Sequence, residues 1–337
     1  MAIDIQPYHK KGYLCIDDII VSVADYFEKR HIFMHTKGLN FTYSPKIVKG
    51  EGVLKRIRTS CNYPTNIKDF LTELNYLQDF VGLHIDFISS LPKLELINYI
   101  EDSIEKNHPV AIISNTYYVP WHDQYYKKVN KLHAFLVIDI DINQKYLLCI
   151  DGYLSDKPVK LPFEDLLLYT DILIFKSINS KKNLSLPNIL SQITNGLTDN
   201  HKLDNCDCIR LFAEDVTNIT FLETEKQRYR DLDHSDFMIG LKSIEFGRKN
   251  LGDLFYYLSD IFIEYRDIML LIQSKIESIT EQWRLVIVFF VKGFYSDQTT
   301  YYMKKAAEQL LDIANNEEDV TRCILSLVHK SSYKIEK

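Results

Sequence analysis

The chain has few of the residues that make flexible linkers, with 11 glycines and 9 prolines among its 337 residues. Long mobile connections between domains are therefore not expected. An excess of positive charge is also missing, since the formal net charge is −6. Nucleic-acid-binding proteins usually show a strong basic excess. The composition therefore argues against a nucleic-acid partner.

Long hydrophobic runs are absent as well. The longest unbroken apolar stretch, residues 285–291, is far shorter than the roughly 20 residues that a membrane-spanning helix requires. Residues 1–15 contain no apolar core of signal-peptide length. The six cysteines lack the regular spacing of a disulfide framework, which suits a reducing compartment. We expect a cytoplasmic protein with no membrane association.

What is present is an ordinary globular composition that changes character along the chain. Hydrophobic residues make up 46% and charged residues 26% of the sequence, which is typical of a folded protein. Residues 1–180 mix helical and strand patterns, whereas residues 181–337 are predominantly helical. The sequence therefore predicts an α+β fold, with an N-terminal domain at 1–180 built on an antiparallel sheet and an all-helical domain at 181–337.

Several elements can be placed from periodicity. The pattern predicts a helix at 94–106 and strands at 110–114 and 172–175. Two further strand-like runs, 132–142 and 145–153, are separated by Asn143-Gln144, as in a hairpin. In the second half, apolar stripes with helical period lie at 237–246, 251–272, 276–291, 300–314 and 318–328. Gly293 and Asn315-Asn316 are expected to separate helices.

Cys15 opens an amphipathic helix predicted to run over 15–30. A thiol at a helix start is favoured as thiolate, the form that attacks acyl groups. Asp17 and Asp18 oppose this, because nearby negative charge raises a thiol pKa. The alternative is a buried, inert cysteine on an apolar helix face.

His133 and Asp151 lie on the two strands of the predicted hairpin, nearly symmetric about its turn. Residues facing each other across a hairpin have index sums near twice the turn centre, and a bulge would close the remaining offset. The carboxylate would then fix the tautomer of the imidazole. The alternative is that His133 is a structural histidine and that Asp151 merely begins an Asp-Gly turn. The order Cys15, His133, Asp151 is that of papain-like enzymes.

Other residues compete for these roles. His122, in an aromatic loop, is the strongest rival base. Cys149 and Cys323 lie in apolar runs and are interpreted as core, and no suggestively placed histidine accompanies Cys61. Cys206 and Cys208 form a lone CxC without a partner pair, so a zinc site is not expected.

The chain resembles the N-terminal domain of the butirosin biosynthesis protein H family. The resemblance lies in the Cys15 helix with Ala24-Asp25-Tyr26-Phe27, in His108-Pro109-Val110, in Tyr117-Tyr118-Val119-Pro120, in Tyr126, in His133-Ala134-Phe135 and in Cys149-Ile150-Asp151. The helical tail, with Ile279 to Arg284 and Asn316-Glu317-Glu318, is similar to the C-terminal region of many members. That family is papain-like and related to bacterial leader-peptide peptidases.

The resemblance implies acyl transfer from a carrier-protein thioester to an amine, with Cys15 as nucleophile, His133 as base and Asp151 as its orienting residue. It implies no metal and no bound cofactor, since phosphopantetheine would arrive on the acyl or peptidyl carrier protein. Two departures are visible. Asn115 stands where an acidic residue is expected. No glutamine lies at the usual distance before Cys15 to complete an oxyanion hole, and Gln6 and His9 are the nearest candidates.

The sequence therefore predicts an acyltransferase of natural-product biosynthesis that forms an amide through a cysteine acyl-enzyme. A papain-like peptidase or thioesterase, and a non-catalytic scaffold on the same fold, remain alternatives. Because carrier proteins are typically acidic, a basic patch would dock the donor. The candidate patch joins residues 46–49 to residues 55–58 and contains Lys46, Lys49, Lys55, Arg56 and Arg58. Its alternative is an ordinary solvated surface.

Overall fold

A computed structural model describes residues 2–44, 57–58, 74, 76–180, 184–195, 197, 205–218 and 235–332. The chain forms two compact units. The first comprises Met1–His31 and Ile67–Asn183, and the second comprises Ile32–Asn66 and Leu184–Lys337. The chain passes between the units three times, and the predicted boundary near residue 180 lies beside the third crossing, at residues 183–184. Residues 32–66, which the sequence pattern assigned to the first domain, group with the second unit instead.

The first unit is built on a six-stranded antiparallel sheet, as the sequence predicts. Its strands are β3 (Leu83–Pro92), β4 (Val110–Asn115), β5 (Leu132–Asp141), β6 (Tyr146–Ile150), β7 (Val159–Pro162) and β8 (Tyr169–Ser177). Their order across the sheet is β3-β8-β4-β5-β6-β7. The helix α2 (Lys93–Glu105) connects β3 to β4 and agrees with the predicted helix at 94–106. The short strand β7 was not predicted.

The β5–β6 hairpin is confirmed, and it contains the register shift that the sequence required. Asp141 pairs with Tyr146 beside the turn, and a one-residue irregularity separates the Val137 and Asp139 pairs. Beyond it, Leu136 pairs with Ile150. Continuing this register places the residue after β6 diagonally across from the start of β5, on one face of the sheet. The hairpin therefore brings residues 133 and 151 together.

The first helix, α1 (Cys15–Tyr26), is buried on nearly all sides and packs against β5. It ends four residues earlier than the pattern 15–30 predicted. Glu28 adopts a left-handed φ of 54°, and the Lys29 N–H donates to the Ala24 carbonyl at 2.7 Å. This is the Schellman arrangement that ends helices, usually with glycine at the left-handed position. With glutamate there, the sequence gives no visible stop signal.

The second unit is mainly helical, which confirms the predicted helical C-terminal region. Its helices are α3 (Leu186–Thr194), α4 (Asn205–Val216), α5 (Asp236–Ile261), α6 (Arg266–Tyr295) and α7 (Thr299–Ser332). It also contains a two-stranded ribbon of β1 (Thr42–Tyr43) and β2 (Ile57–Arg58), which lies outside the range 181–337 that was predicted to be helical. Among the described residues, no helix is both long and apolar enough to cross a membrane.

Two predicted helix breaks are wrong. Gly293 lies within α6, and Asn315-Asn316 lies within α7. Asparagine is unfavourable inside helices because its side chain competes for local backbone groups. Here the Asn316 amide donates to Gln282 of α6 at 3.0 Å, and Asn315 accepts from Arg210 of α4 at 3.3 Å. Both side chains therefore bond to neighbouring helices.

A buried ion pair lies in the core of the second unit. Arg248 is fully buried and donates to both oxygens of Glu317, at 2.9 and 3.1 Å. The guanidinium also donates to the carbonyls of Gly38 and Leu39, each at 3.1 Å. The Trp283 indole donates to the same carboxylate at 3.2 Å. Arg248 therefore ties residues 38–39 to α5 and α7.

The basic patch predicted to dock a carrier protein lies mostly outside the described residues. Lys46, Lys49, Lys55 and Arg56 fall in the undescribed part, and Arg58 belongs to β2. Its docking role stays a prediction.

Candidate active site

Cys15, His133 and Asp151 come together in the first unit. Cys15 is the first residue of α1, His133 lies near the start of β5, and Asp151 directly follows β6. The His133 Nε2 donates to Asp151 Oδ2 at 2.6 Å, and the Cys15 side chain is hydrogen-bonded to the same imidazole. Because Nε2 is bonded to Asp151, Nδ1 is the ring nitrogen that faces the thiol. The sequence-predicted residues thus form a connected chain of side chains.

All three side chains are withdrawn from solvent. Cys15 is 9% exposed, His133 5% and Asp151 3%. Burial disfavours a charged imidazole, but the negative charge on Cys15 and the hydrogen bonds that the ring donates to Asp151 and Cys15 outweigh it and raise the pKa of His133 to about 10. An imidazolium at His133 and a thiolate at Cys15 therefore stabilise each other. This is the charge state that makes a cysteine nucleophilic.

The two acidic residues on the first turn of α1, Asp17 and Asp18, destabilise a thiolate at Cys15 less than the sequence suggests. Burial raises the pKa of Asp17 to about 7, although its carboxylate accepts from the Leu14 N–H. Burial therefore weakens the tendency of Asp17 to ionise beside Cys15. Burial raises the pKa of Asp18 to about 6, and a hydrogen bond from His9 opposes that rise. The hydrogen bond to His9 therefore offsets part of the cost of burying the Asp18 carboxylate.

Asp151 has a second donor that the sequence did not reveal. The Trp121 indole donates to Asp151 Oδ2 at 2.8 Å, the same oxygen that binds His133. Trp121 packs edge-on against Phe135, two residues from His133 on β5, with ring centres 5.1 Å apart. Trp121 therefore holds the carboxylate toward the imidazole. A tryptophan in the aromatic loop was the available signal, since a buried indole N–H requires an acceptor.

Gly152 allows the N-terminal segment to lie directly against the site. A Cβ at this position would meet the Tyr8 carbonyl oxygen at 2.0 Å, which no side chain can tolerate. Tyr8 is fixed in turn through its N–H, which donates to Ser22 of α1 at 3.1 Å. The Asp-Gly pair thus serves close packing beside Asp151 as well as the turn that its sequence indicates.

The rival base, His122, also lies beside the site. Its ring stacks on Tyr125 at 4.4 Å and meets His133 edge-on at 6.2 Å. Burial and the neighbouring His133 lower the pKa of His122. In the part of the chain that the structure describes, His122 has no carboxylate hydrogen-bonded to it. His133 therefore lies next to the Cys15 thiol, whereas His122 lies at the periphery of the candidate site.

The other described cysteines lie elsewhere. Cys149 is fully buried in β6, and burial followed by the charge of Asp151 raises the pKa of its thiol. Cys206 and Cys208 are buried in α4, and Cys323 is half-buried in α7. Cys61 lies outside the described residues. Within the described segments, no group of three or more His, Cys, Asp or Glu side chains is arranged to hold a metal ion.

The sequence departs from the family that it resembles at Asn115 and in the segment before Cys15, and the structure shows the contacts that these residues make. Asn115 caps a short helical turn by accepting from the Tyr117 N–H at 2.9 Å. Gln6 donates to Asp4 in an exposed contact at 3.0 Å. His9 instead bonds Asp18, one helical turn from Cys15, at 2.7 Å. Sequence reasoning named His9 as a candidate but missed this partnership.

Comparison with models of known protein families gives no match to this chain, and comparison with curated proteins gives none either.

Proposed function

We propose that this chain is a cysteine-dependent acyltransferase that forms an amide from an acyl thioester through an acyl-enzyme on Cys15. One observation carries the proposal: Cys15 at a helix start is hydrogen-bonded to His133, whose other nitrogen is held by Asp151 at 2.6 Å. A nucleophile, a base and a group that orients the base are the parts that acyl transfer requires.

Acylation uses the ion pair directly. The Cys15 thiolate attacks the thioester carbonyl and forms a new C–S bond. The N-terminal end of α1 has a partial positive charge, which favours the negative charge that develops here. The original C–S bond then breaks, and His133 gives its proton to the departing sulfur. The products are acyl-Cys15, a free thiol and a neutral His133.

Acyl transfer depends on the change that acylation makes at His133. The thiolate and its hydrogen bond contribute to the raised pKa of His133, and acylation removes both. The pKa of His133 therefore falls, and the neutral imidazole can accept a proton from an attacking amine. The C–S bond to Cys15 breaks as the amide forms, and the thiolate–imidazolium pair is restored.

The fold and the resemblance support the same proposal. A buried helix begins with the cysteine, and an antiparallel sheet provides the histidine and the aspartate on adjacent strands. We infer a papain-like domain related to the butirosin biosynthesis protein H family. The donor would then be an acyl or peptidyl carrier protein in natural-product biosynthesis, and the acceptor a small amine. Burial of Cys15 and His133 favours an amine over water, because solvent access to the acyl-enzyme is restricted.

The ratio of amide to free acid among the products tests this function. The protein would be incubated with an N-acetylcysteamine acyl thioester and a primary amine, and the amide and free acid would be quantified. We expect Cys15-dependent thiol release with amide as the main product, and Cys15→Ala to match the uncatalysed background. Free acid as the main product, independent of amine concentration, would indicate a hydrolase. Background thiol release from the wild type, with every amine tried, would indicate a scaffold.

A further inference from the structure

A second histidine–carboxylate pair lies beside the proposed nucleophile. His9 Nδ1 and Asp18 Oδ2 are 2.7 Å apart, and Asp18 also accepts from the Lys10 N–H at 3.4 Å. The Asp18 side chain is 3% exposed, as deeply buried as Asp151. An ionised carboxylate can only accept, so Nδ1 of His9 is the donor. In the neutral form of His9, the other ring nitrogen, Nε2, then has the lone pair and can act as a base.

The position of Asp18 places this pair next to Cys15. Residues three apart on a helix are neighbours on its surface, and Asp18 is three residues after Cys15 on α1. Cys15, Asp18 and Asp151 also line one cavity of about 10 Å³, the size of a single water site. The charge of Asp151 contributes to the raised pKa of Asp18, so the two carboxylates repel each other electrostatically.

His9 differs from His133 in its access to solvent. The His9 side chain is 39% exposed, and its ring meets Tyr153 edge-on at 5.3 Å. Tyr153 is itself 51% exposed and lies 6.3 Å from the His133 ring. His9 and Tyr153 are therefore the solvent-exposed members of this cluster, whereas Cys15 and His133 are buried.

We propose that the His9–Asp18 pair is the acceptor site, where a cationic primary amine binds and gives its first proton to His9. This inference rests on the acyltransferase function proposed above. Asp18 acts as a positioning residue, which fixes the His9 tautomer and supplies negative charge. The substrate class is an amine that is protonated at neutral pH.

The proton count of aminolysis explains why two bases are needed. An ammonium ion has no lone pair and cannot attack a carbonyl. His9 takes one proton from the ammonium and leaves a neutral amine. The amine nitrogen then forms the C–N bond to acyl-Cys15 and gives its second proton to His133. The C–S bond breaks, and its electron pair returns to Cys15 as thiolate. His9 releases its proton to solvent.

A purely structural role is the competing explanation, because Asp18 also ties residues 9–10 to α1. The choice of acceptor separates the two explanations. Ethylamine is almost entirely an ammonium ion at neutral pH and needs a base, whereas hydroxylamine is mostly uncharged and does not. His9→Gln keeps a polar side chain that can donate to Asp18 but removes the base. His31→Gln is the matched control, since His31 also pairs with an aspartate of α1, Asp25, at 3.7 Å.

The experiment measures aminolysis of pre-formed acyl-enzyme by each amine at neutral pH. For His9→Gln we expect a loss of about a hundredfold with ethylamine and less than about threefold with hydroxylamine. His31→Gln should match the wild type with both. Acyl-enzyme formation is followed by thiol release in each variant before amine is added, and His31→Gln should match the wild type, which checks that the site has folded.

Three results would overturn this inference. Equal losses with both amines would mean that His9 acts on the carbonyl or on the fold. Wild-type rates in His9→Gln would mean that the pair has no part in transfer. Slow acyl-enzyme formation in His9→Gln would place His9 in the first half of the reaction. In each case the wild type still forms an acyl-enzyme, so the acyltransferase proposal survives, whereas a wild type that forms none removes both.

Discussion

Alanine in place of His133 is expected to slow acyl-enzyme formation by about a thousandfold, within the range for loss of a positioned base. The mutation removes the imidazolium that stabilises the Cys15 thiolate and the proton that the leaving thiol requires. Asp151→Asn should lower the same rate, because the carboxylate that orients the His133 ring becomes a neutral amide. Single-turnover thiol release from a small acyl thioester is the measurement.

His122 provides the matched control for this prediction. It is the same residue type, and its ring lies 6.2 Å from that of His133. We expect His122→Ala to change the rate by less than about threefold, since it does not contact the thiol or Asp151 in the geometry proposed for the reaction. An inactive His122→Ala together with an active His133→Ala would show that the base has been assigned to the wrong histidine.

Replacing Arg248 by methionine is expected to destabilise the second unit by about 3–5 kcal/mol, the usual cost of breaking a buried ion pair. Glu317 would be left as a buried carboxylate whose remaining donor is the Trp283 indole at 3.2 Å. The double variant Arg248→Met/Glu317→Met should recover much of the loss, because no buried charge then lacks its partner. This non-additivity is the signature of a coupled pair.

The chain offers a local probe for that experiment. It contains two tryptophans, so Trp121→Phe leaves Trp283, which touches the Arg248–Glu317 pair, as the sole fluorescent indole. Urea unfolding in this background reports on the second unit. Lys305→Gln, which breaks an exposed ion pair to Glu308 on α7, is the control and should leave the midpoint unchanged. A loss in the double variant equal to the sum of the losses in Arg248→Met and Glu317→Met would contradict the coupling.

The predicted site residues could be found from sequence because local patterns determine their positions. Cys15 begins a strongly amphipathic segment, and hairpin symmetry relates His133 to Asp151 whatever surrounds them. Hairpin symmetry indicates that a bulge is needed, but no residue type near Val137 and Asp139 predicts that it lies there. The α+β class and the helical second half follow from periodicity in the same way.

The missed features depend on contacts between distant residues. Trp121 reaches Asp151 across thirty positions, and Arg248 joins α5 to Glu317 and to residues 38–39. No periodic pattern records such pairs. The wrong helix break at Asn315-Asn316 has the same origin, because bonds to Arg210 and Gln282 override the local preference of asparagine. The grouping of residues 32–66 with the second unit likewise depends on tertiary contacts.

The most direct test of the central claim is to locate the acyl group. Wild-type protein would be incubated with the N-acetylcysteamine acyl thioester without amine, digested at low pH and sequenced by mass spectrometry. We expect one acyl group on the peptide containing Cys15, its loss on adding hydroxylamine, and the same adduct in Cys149→Ala. An adduct on another cysteine, or one that persists in Cys15→Ala, would contradict the assignment of Cys15 as the nucleophile.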